Sequence, residues 1–114
     1  MTLKISKRNV DQVTILDTAG KLTIGEGDIV LRNSIHESLD AGVRNLLLNL
    51  ASVSTIDESG IGELVSAYVT ARNRGGNLKL VNLPPKIQDA LTITQLITVF
   101  EAYDNEPEAV ASFG

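Results

Sequence analysis

The fold of this chain is decided by residues 55–62, Thr55-Ile56-Asp57-Glu58-Ser59-Gly60-Ile61-Gly62. They lie between an almost continuous apolar run at residues 46–50 and an amphipathic segment that extends to Arg74. A short apolar run followed by a longer segment of helical period is typical of a buried strand that leads into a helix. The sequence therefore predicts a strand–turn–helix unit that places the Ser59 hydroxyl at the beginning of the helix.

Length and composition argue against several classes of protein. The 114 residues suit one domain, and a hydrophobic fraction of 43% favours a folded core over disorder. No apolar stretch is long enough for a membrane span or has the pattern of a signal peptide. A net charge of −4 disfavours nucleic-acid binding, and one histidine without any cysteine argues against a transition-metal site. We expect one cytoplasmic domain over residues 1–114, with no cofactor, metal, nucleic acid or direct membrane insertion.

The rest of the chain supplies the other layers of the fold. Further strands are predicted at residues 3–7, 13–16, 78–81 and 97–100, with a polar hairpin connection at residues 8–12 and Gly20 ending the second strand. Helices are predicted over residues 29–41, with Gly42 as the stop, from Pro84-Pro85 onwards, and after a cap at Asp104 or Asn105. Two strands followed by alternating helices and strands predict an α/β sandwich: a mixed four- to five-stranded sheet with about four helices.

The helix after Ser59 carries two distinct faces. At about 100° per residue, small or polar residues return to the side of Ser59: Gly62, Glu63, Ser66, Thr70 and Asn73. The opposite side gathers the residues that should face the sheet: Ile61, Leu64, Val65, Tyr68 and Ala71. A stripe of small residues lets another protein approach closely, although any amphipathic helix also has a polar face.

A phosphate on Ser59 would be compatible with this fold. The N–H groups at a helix N-terminus have no intrahelical partners and carry partial positive charge, so an anion is accommodated there. Asp57 is the expected N-cap. Gly60 and Gly62 lower helix propensity, which points either to a close approach by a partner or to tight packing of the turn. We interpret Ser59 as a regulatory phosphate acceptor rather than a catalytic nucleophile.

The chain resembles the STAS domain, the module of anti-sigma factor antagonists. The family pattern is an apolar strand, Asp-Ser-Ser/Thr-Gly-apolar-Gly and a helix; residues 57–62 fit it with one departure, and the likeness extends over the whole chain. The resemblance implies that an anti-sigma factor serine kinase binds the unmodified protein and phosphorylates Ser59, and that a PP2C-type phosphatase resets it. With the helix stripe, it implies a partner-binding surface of Thr23, Asp57, Glu58, Ser59, Gly60, Gly62, Glu63, Ser66 and Thr70.

Three residues depart from the family pattern. Glu58 replaces a frequent serine and adds a carboxylate beside the acceptor, while Thr23 and Asn49 stand where many relatives carry aspartate. Glu58 and Thr23 support an alternative, a constitutive STAS subunit or scaffold, such as the cytosolic component of a lipid-transport ABC system. A weaker alternative is nucleotide binding, as in some domains of this type.

Enzyme functions fit the sequence poorly. Asp57 replaces the first glycine of a G-x-S-x-G nucleophile elbow. The potential base, His36, falls beside the apolar stripe of its helix, where a solvated histidine is expected. Neither Gly-x-Gly pair has the third glycine of a dinucleotide fingerprint or the lysine of a P-loop. The sequence therefore predicts a protein that is not an enzyme.

Overall fold

The computed structural model describes residues 3–114 of the chain. These residues form five strands, four α-helices and one 3₁₀ turn, in the order β1 (Lys4–Val10), β2 (Val13–Leu22), α1 (Gly27–Asp40), β3 (Asn45–Ile56), α2 (Glu58–Asn73), β4 (Asn77–Val81), α3 (Pro85–Ile93), the 3₁₀ turn (Leu96–Thr98), β5 (Ala102–Tyr103) and α4 (Glu106–Ala111). None of the helices within this range is long and apolar enough to cross a membrane. The predicted α/β class with four helices is confirmed.

The five strands form a single mixed sheet in the order β1-β2-β3-β4-β5. β1 pairs with β2 in antiparallel orientation, and every other neighbouring pair is parallel. Each parallel pair requires a crossover, which the helices between the strands provide. β3 lies at the centre of the sheet, as its apolar run predicts.

The β1–β2 hairpin is tighter than the sequence suggested. Its turn consists of Asp11 and Gln12 alone, both with positive φ, at 49° and 68°. A two-residue turn of this kind matches the twist of antiparallel strands. The predicted connection over residues 8–12 was therefore too long. The prediction that Gly20 ends β2 was also wrong: with φ of 112° it lies at an irregularity in the pairing with β3, and β2 continues to Leu22.

The two faces of the sheet are covered to different extents. Leu46, Leu48 and Leu50 point into the larger core, which α1, α2 and α3 close. The alternate residue Leu47 points to the opposite face, where a smaller core forms beneath Ala109 of α4. The three larger helices therefore share one face, and the short C-terminal helix covers part of the other.

The end of the chain departs from the prediction in one element. Residues 97–100 do not form a strand; the backbone makes a 3₁₀ turn after Gln95, whose φ is 62°. Phe100 is buried and packs edge-on against Tyr68, with ring centroids 5.5 Å apart. The apolar residues of this segment thus pack on α2 rather than pairing in the sheet. The last strand is β5, and Asn105 caps α4 by accepting the backbone N–H of Glu108 at 3.0 Å.

Candidate functional site

Ser59 lies where the N-termini of α1 and α2 meet the C-terminal ends of two neighbouring parallel strands. Lys21 and Leu22 at the end of β2 pair with Thr55 and Ile56 at the end of β3. From there, β2 continues through a four-residue loop into α1, and β3 leads directly into α2. We call residues 23–26 the β2–α1 loop.

Two glycines allow the helices to approach the end of β2 closely. A Cβ on Gly27, the first residue of α1, would lie 2.2 Å from the carbonyl oxygen of Lys21. A Cβ on Gly60 would lie 2.1 Å from the carbonyl oxygen of Leu22. Gly62 differs, because a Cβ there would meet nothing within 4 Å. Of the two explanations that the sequence left open for Gly60, tight packing of the turn is the one observed.

Asp57 joins the beginning of α2 to the β2–α1 loop. Its Oδ1 accepts the backbone N–H of Gly60 at 2.9 Å, which confirms the predicted N-cap. Its Oδ2 accepts the backbone N–H of Ile24 at 3.0 Å. These hydrogen bonds, first that from Ile24 and then that from Gly60, hold the pKa of the Asp57 carboxyl below its usual value because they favour the ionised form. The carboxylate is thus shared between two segments that are 33 residues apart in sequence.

Ser59 is the second residue of α2 and is half-buried. Because the Asp57 carboxylate provides the cap, the Ser59 hydroxyl has no capping role. Its neighbour Glu58 is exposed. The site therefore combines the Ser59 hydroxyl and a helix N-terminus with two carboxylates, those of Asp57 and Glu58.

Most of the predicted stripe on α2 is accessible. Gly62 and Ser66 are exposed, and Thr70 is half-buried, as is Thr23 in the β2–α1 loop. The side predicted to face the sheet does so: Leu64 and Ala71 are buried, and Ile61, Val65 and Tyr68 pack against the larger core.

Glu63 is not accessible on the stripe as predicted, because it is buried against α1. Its side chain is only 9% exposed, and its Oε1 accepts hydrogen bonds from Nη2 and Nε of Arg32 on α1, at 2.7 and 3.1 Å. Glu63 lies near the edge of the stripe, and the neighbouring helix covers that edge. The Arg32 side chain, which the sequence did not single out, remains 52% exposed beside α2.

Two exposed apolar residues near the site were also missed. Ile24 is 72% exposed in the β2–α1 loop, and Val69 is 46% exposed on α2. Val69 lies ten residues after Ser59, which places it about 80° away around the helix and outside the stripe as defined. The available signal for Ile24 was an isoleucine just before Gly25, in the connection between the second predicted strand and the first predicted helix, where an apolar side chain has no evident core to join.

Asn49 belongs to a polar network on the other face of the sheet. Its Nδ2 donates to Asp17 at 2.9 Å, and its Oδ1 accepts from Asn82 at 3.1 Å. Nε of Arg8 donates to Oδ2 of Asp17 at 2.6 Å, and the Arg8 guanidinium also forms an ion pair with Glu106 at the beginning of α4. The Arg8 guanidinium, first through its hydrogen bonds, lowers the pKa of both carboxyls. Asn49, one of the three residues that depart from the family pattern, therefore belongs to the network that attaches α4 to the sheet, away from Ser59.

Three clefts in the described part of the chain are lined by residues other than Ser59. A cleft of about 550 Å³ lies between the hairpin turn and α4, at the opposite end of β3. Within residues 3–114, no three His, Cys, Asp or Glu side chains form a group that could hold a metal ion. His36 is exposed on α1, as predicted.

Comparison with known proteins gives a consistent result. A family model for the STAS domain matches residues 4–109. The anti-sigma F factor antagonist of Paenibacillus polymyxa is 25% identical over 111 residues, which cover 96% of this chain and 94% of the relative.

Solved structures resemble the whole fold. A crystal structure from Thermotoga maritima, also described as an anti-sigma factor antagonist, has a TM-score of 0.87 at 26% identity, over 96% of this chain and 93% of that one. The Bacillus cell fate determinant SpoIIAA in its phosphorylated form has a TM-score of 0.73 at 18% identity, over 96% and 98% of the two chains. The second likeness concerns the fold alone.

Proposed function

Because this chain belongs to the STAS domain family, we propose that it is an anti-sigma factor antagonist regulated by phosphorylation of Ser59. In this proposal the single domain binds an anti-sigma factor serine kinase while Ser59 is unmodified, and releases it once Ser59 is phosphorylated. The names of the relatives indicate the class of regulator, an anti-sigma factor antagonist. The observation that carries the proposal is the position of Ser59, the second residue of a long helix, with its hydroxyl left out of the cap.

The proposed reaction is transfer of the γ-phosphoryl group of ATP. The Ser59 oxygen forms a bond to the γ-phosphorus, the bond from that phosphorus to the oxygen of ADP breaks, and the hydroxyl proton leaves to a base of the kinase. A PP2C-type phosphatase would reverse the modification by hydrolysis, returning the hydroxyl and inorganic phosphate. Because the reaction consumes ATP, we place the protein in the cytoplasm.

The α2 N-terminus supports such a modification without refolding. Phosphoserine carries about −1.5 to −2 charges at neutral pH, and the first turn of a helix favours negative charge. The charge and bulk of the phosphate would lie at the N-terminal end of the exposed part of the stripe. A partner docked there would lose contact through sterics and like-charge repulsion, while the domain itself stays folded.

The proposed partner surface follows the accessible residues. It includes Thr23, Glu58, Ser59, Gly62, Ser66 and Thr70, with Asp57 and Gly60 shaping its backbone. Glu63 enters this surface indirectly, because it orients the exposed guanidinium of Arg32. We add Ile24 and Val69 as apolar contacts, since exposed apolar side chains within polar surroundings are typical anchors in protein interfaces.

One observation favours a second function, a constitutive STAS subunit in which Ser59 is never modified. Glu58 is exposed next to the acceptor, so its carboxylate would repel a phosphate dianion. In that case the same surface would bind a partner, such as the ATPase of a lipid transporter, regardless of charge at Ser59.

Affinity capture with matched variants distinguishes the two functions. Wild-type protein, Ser59→Ala and Ser59→Asp serve as baits in a lysate of the native cell, with mass spectrometry as the readout. Ser6→Asp is the control, because Ser6 is exposed on β1, away from α2, and receives the same added charge. The switch predicts that a serine kinase is recovered by every bait except Ser59→Asp.

Melting curves show whether Ser59→Asp acts through the surface. An aspartate in the first turn of a helix changes stability by about 0.3–1 kcal/mol, so its Tm should stay within a few degrees of wild type. Recovery of one partner by all four baits, a transporter ATPase in particular, would reject the switch in favour of the constitutive subunit. A strongly lowered Tm would show instead that Ser59 is structural.

A further inference from the structure

We propose that Asp57 transmits the phosphorylation state of Ser59 to the β2–α1 loop by releasing the Ile24 backbone when the phosphate takes over the α2 N-terminus. This inference rests on the proposed function, since it assumes that Ser59 carries a phosphate. It adds a second consequence of the modification: besides blocking the stripe, the phosphate loosens a loop that carries an exposed isoleucine.

The starting point is the division of labour between the two oxygens of Asp57. Oδ1 holds the N–H of Gly60, within α2, and Oδ2 holds the N–H of Ile24, within the loop. One carboxylate therefore sets the position of both segments. Because both oxygens belong to one rigid carboxylate, a rotation that takes Oδ1 away from the helix also displaces Oδ2, the acceptor of the Ile24 N–H.

The loop depends on this contact at its exposed part. Its first residue, Thr23, is held by the hydrogen bond that its carbonyl oxygen accepts from the Asp28 N–H at 3.1 Å. The three residues that follow are exposed, and Gly25 has a φ of 104°, a conformation that glycine adopts easily. Ile24, with 72% of its surface exposed, contributes little packing to hold itself in place. Its backbone bond to Asp57 thus ties the exposed part of the loop to α2.

A phosphate on Ser59 would compete for the same donors as Asp57. Ser59 immediately precedes Gly60, so the phosphoryl oxygens can reach the Gly60 N–H. Phosphate offers three strong acceptor oxygens and more negative charge than a carboxylate, so it is the better ligand for the end of a helix. It also repels the neighbouring Asp57 carboxylate. Both effects turn Asp57 away from the helix and leave the Ile24 N–H to solvent.

The experiment follows the Ile24 amide in the isolated 114-residue chain. Phosphoserine is installed at position 59 during translation, so that no kinase is needed, and exchange of backbone amides with water is measured by ¹⁵N NMR. We expect exchange at Ile24 to become at least about tenfold faster on phosphorylation. The Val43 amide is the internal control: it donates to the Ser38 carbonyl oxygen at 3.0 Å at the far end of α1 and should not change.

A variant at Asp57 tests whether the effect passes through its carboxylate. Asp57→Asn replaces one carboxylate oxygen by an NH₂ group. The remaining oxygen can accept the N–H of Gly60 or that of Ile24, so each N–H no longer has an oxygen of its own. Asparagine is also a good N-cap, so α2 keeps its beginning. We expect Asp57→Asn to speed exchange at Ile24 without phosphorylation, and phosphoserine at position 59 to add less than about twofold in that background.

Unchanged exchange at Ile24 in the phosphorylated wild-type chain would overturn the inference. So would a full tenfold increase on phosphorylation of Asp57→Asn, since the loop would then respond without the carboxylate. The two proposals can nevertheless fail separately: if Ser59→Asp still captures the kinase while Ile24 responds to phosphoserine, the switch fails and the Asp57 link stands. If Ser59→Asp loses the kinase while amide exchange at Ile24 is unchanged by phosphoserine, the switch stands and the Asp57 link fails.

Discussion

Gly60→Ala should destabilise the protein because α2 begins in contact with the backbone of β2. The new Cβ would lie 2.1 Å from the Leu22 carbonyl oxygen and 2.8 Å from Cγ1 of Ile56, whereas ordinary contacts begin near 3.4 Å. The two elements would have to separate by about 1.3 Å, the difference between 3.4 Å and the 2.1 Å carbonyl distance. Such a shift also strains the cap that Asp57 provides.

The magnitude follows from three contributions. Overpacking costs about 1–3 kcal/mol, and a weakened N-cap costs about 1 kcal/mol. Replacing glycine by alanine in a helix returns about 1 kcal/mol. We therefore expect Gly60→Ala to lower the free energy of unfolding by about 1–3 kcal/mol.

Gly62→Ala is the matched control in the same turn of helix. Apart from the adjoining backbone of its own helix, no atom lies within 4 Å of the position that its new methyl group would take, so only the gain in helix propensity remains. It should raise the free energy of unfolding by about 0.5–1 kcal/mol. Urea unfolding at constant pH measures both variants, with midpoints expected to differ by about 1 M or more. A Gly60→Ala midpoint at or above that of wild type, with unchanged m, would refute the close packing of α2 on β2.

Two further variants test ion pairs. The Arg8 guanidinium lowers the pKa of Asp17 and Glu106 in the folded protein. The stabilisation that it supplies is therefore complete above the unfolded pKa values, about 3.9 for Asp and about 4.3 for Glu. It is lost as the pH falls through the lower folded pKa values. Arg8→Met should therefore be less stable than wild type at pH 7, and the difference should shrink as the pH falls below about 4. A constant difference across a pH series of urea titrations would contradict this. Arg32→Met should lower the urea midpoint because it leaves the buried carboxylate of Glu63 unpaired, and adding Glu63→Gln should recover part of the loss. Equal midpoints for the single and double variants would show that this carboxylate is not the cause.

Much of the site was predictable because its signals are local. An apolar run, a capping aspartate and a helical period, all within residues 46–74, specify the strand, the turn and the face of α2 on which Ser59 lies. Asn105 and Pro84-Pro85 mark helix beginnings in the same way, through a side-chain acceptor and a fixed φ. These interactions form between residues close in the chain, so the sequence displays them directly.

Other boundaries depended on pairing between distant strands. β3 continues beyond the predicted apolar run at residues 46–50, because β2 provides backbone partners as far as the pair Leu22–Ile56. Conversely, the apolar residues 97–100 resemble a strand but turn so that Phe100 packs on Tyr68. In both cases the neighbour, rather than the local propensity, decided the conformation.

By itself, the sequence determined the order of strands and helices and placed Ser59 near the beginning of α2. The tertiary structure alone decided what surrounds that serine. It buried Glu63 against Arg32, brought Gly60 onto the Leu22 carbonyl, and gave Asp57 a second partner in Ile24. Each of these contacts joins residues that are distant in sequence, and no local pattern encodes which side chain a distant segment will meet once the helices pack on the sheet.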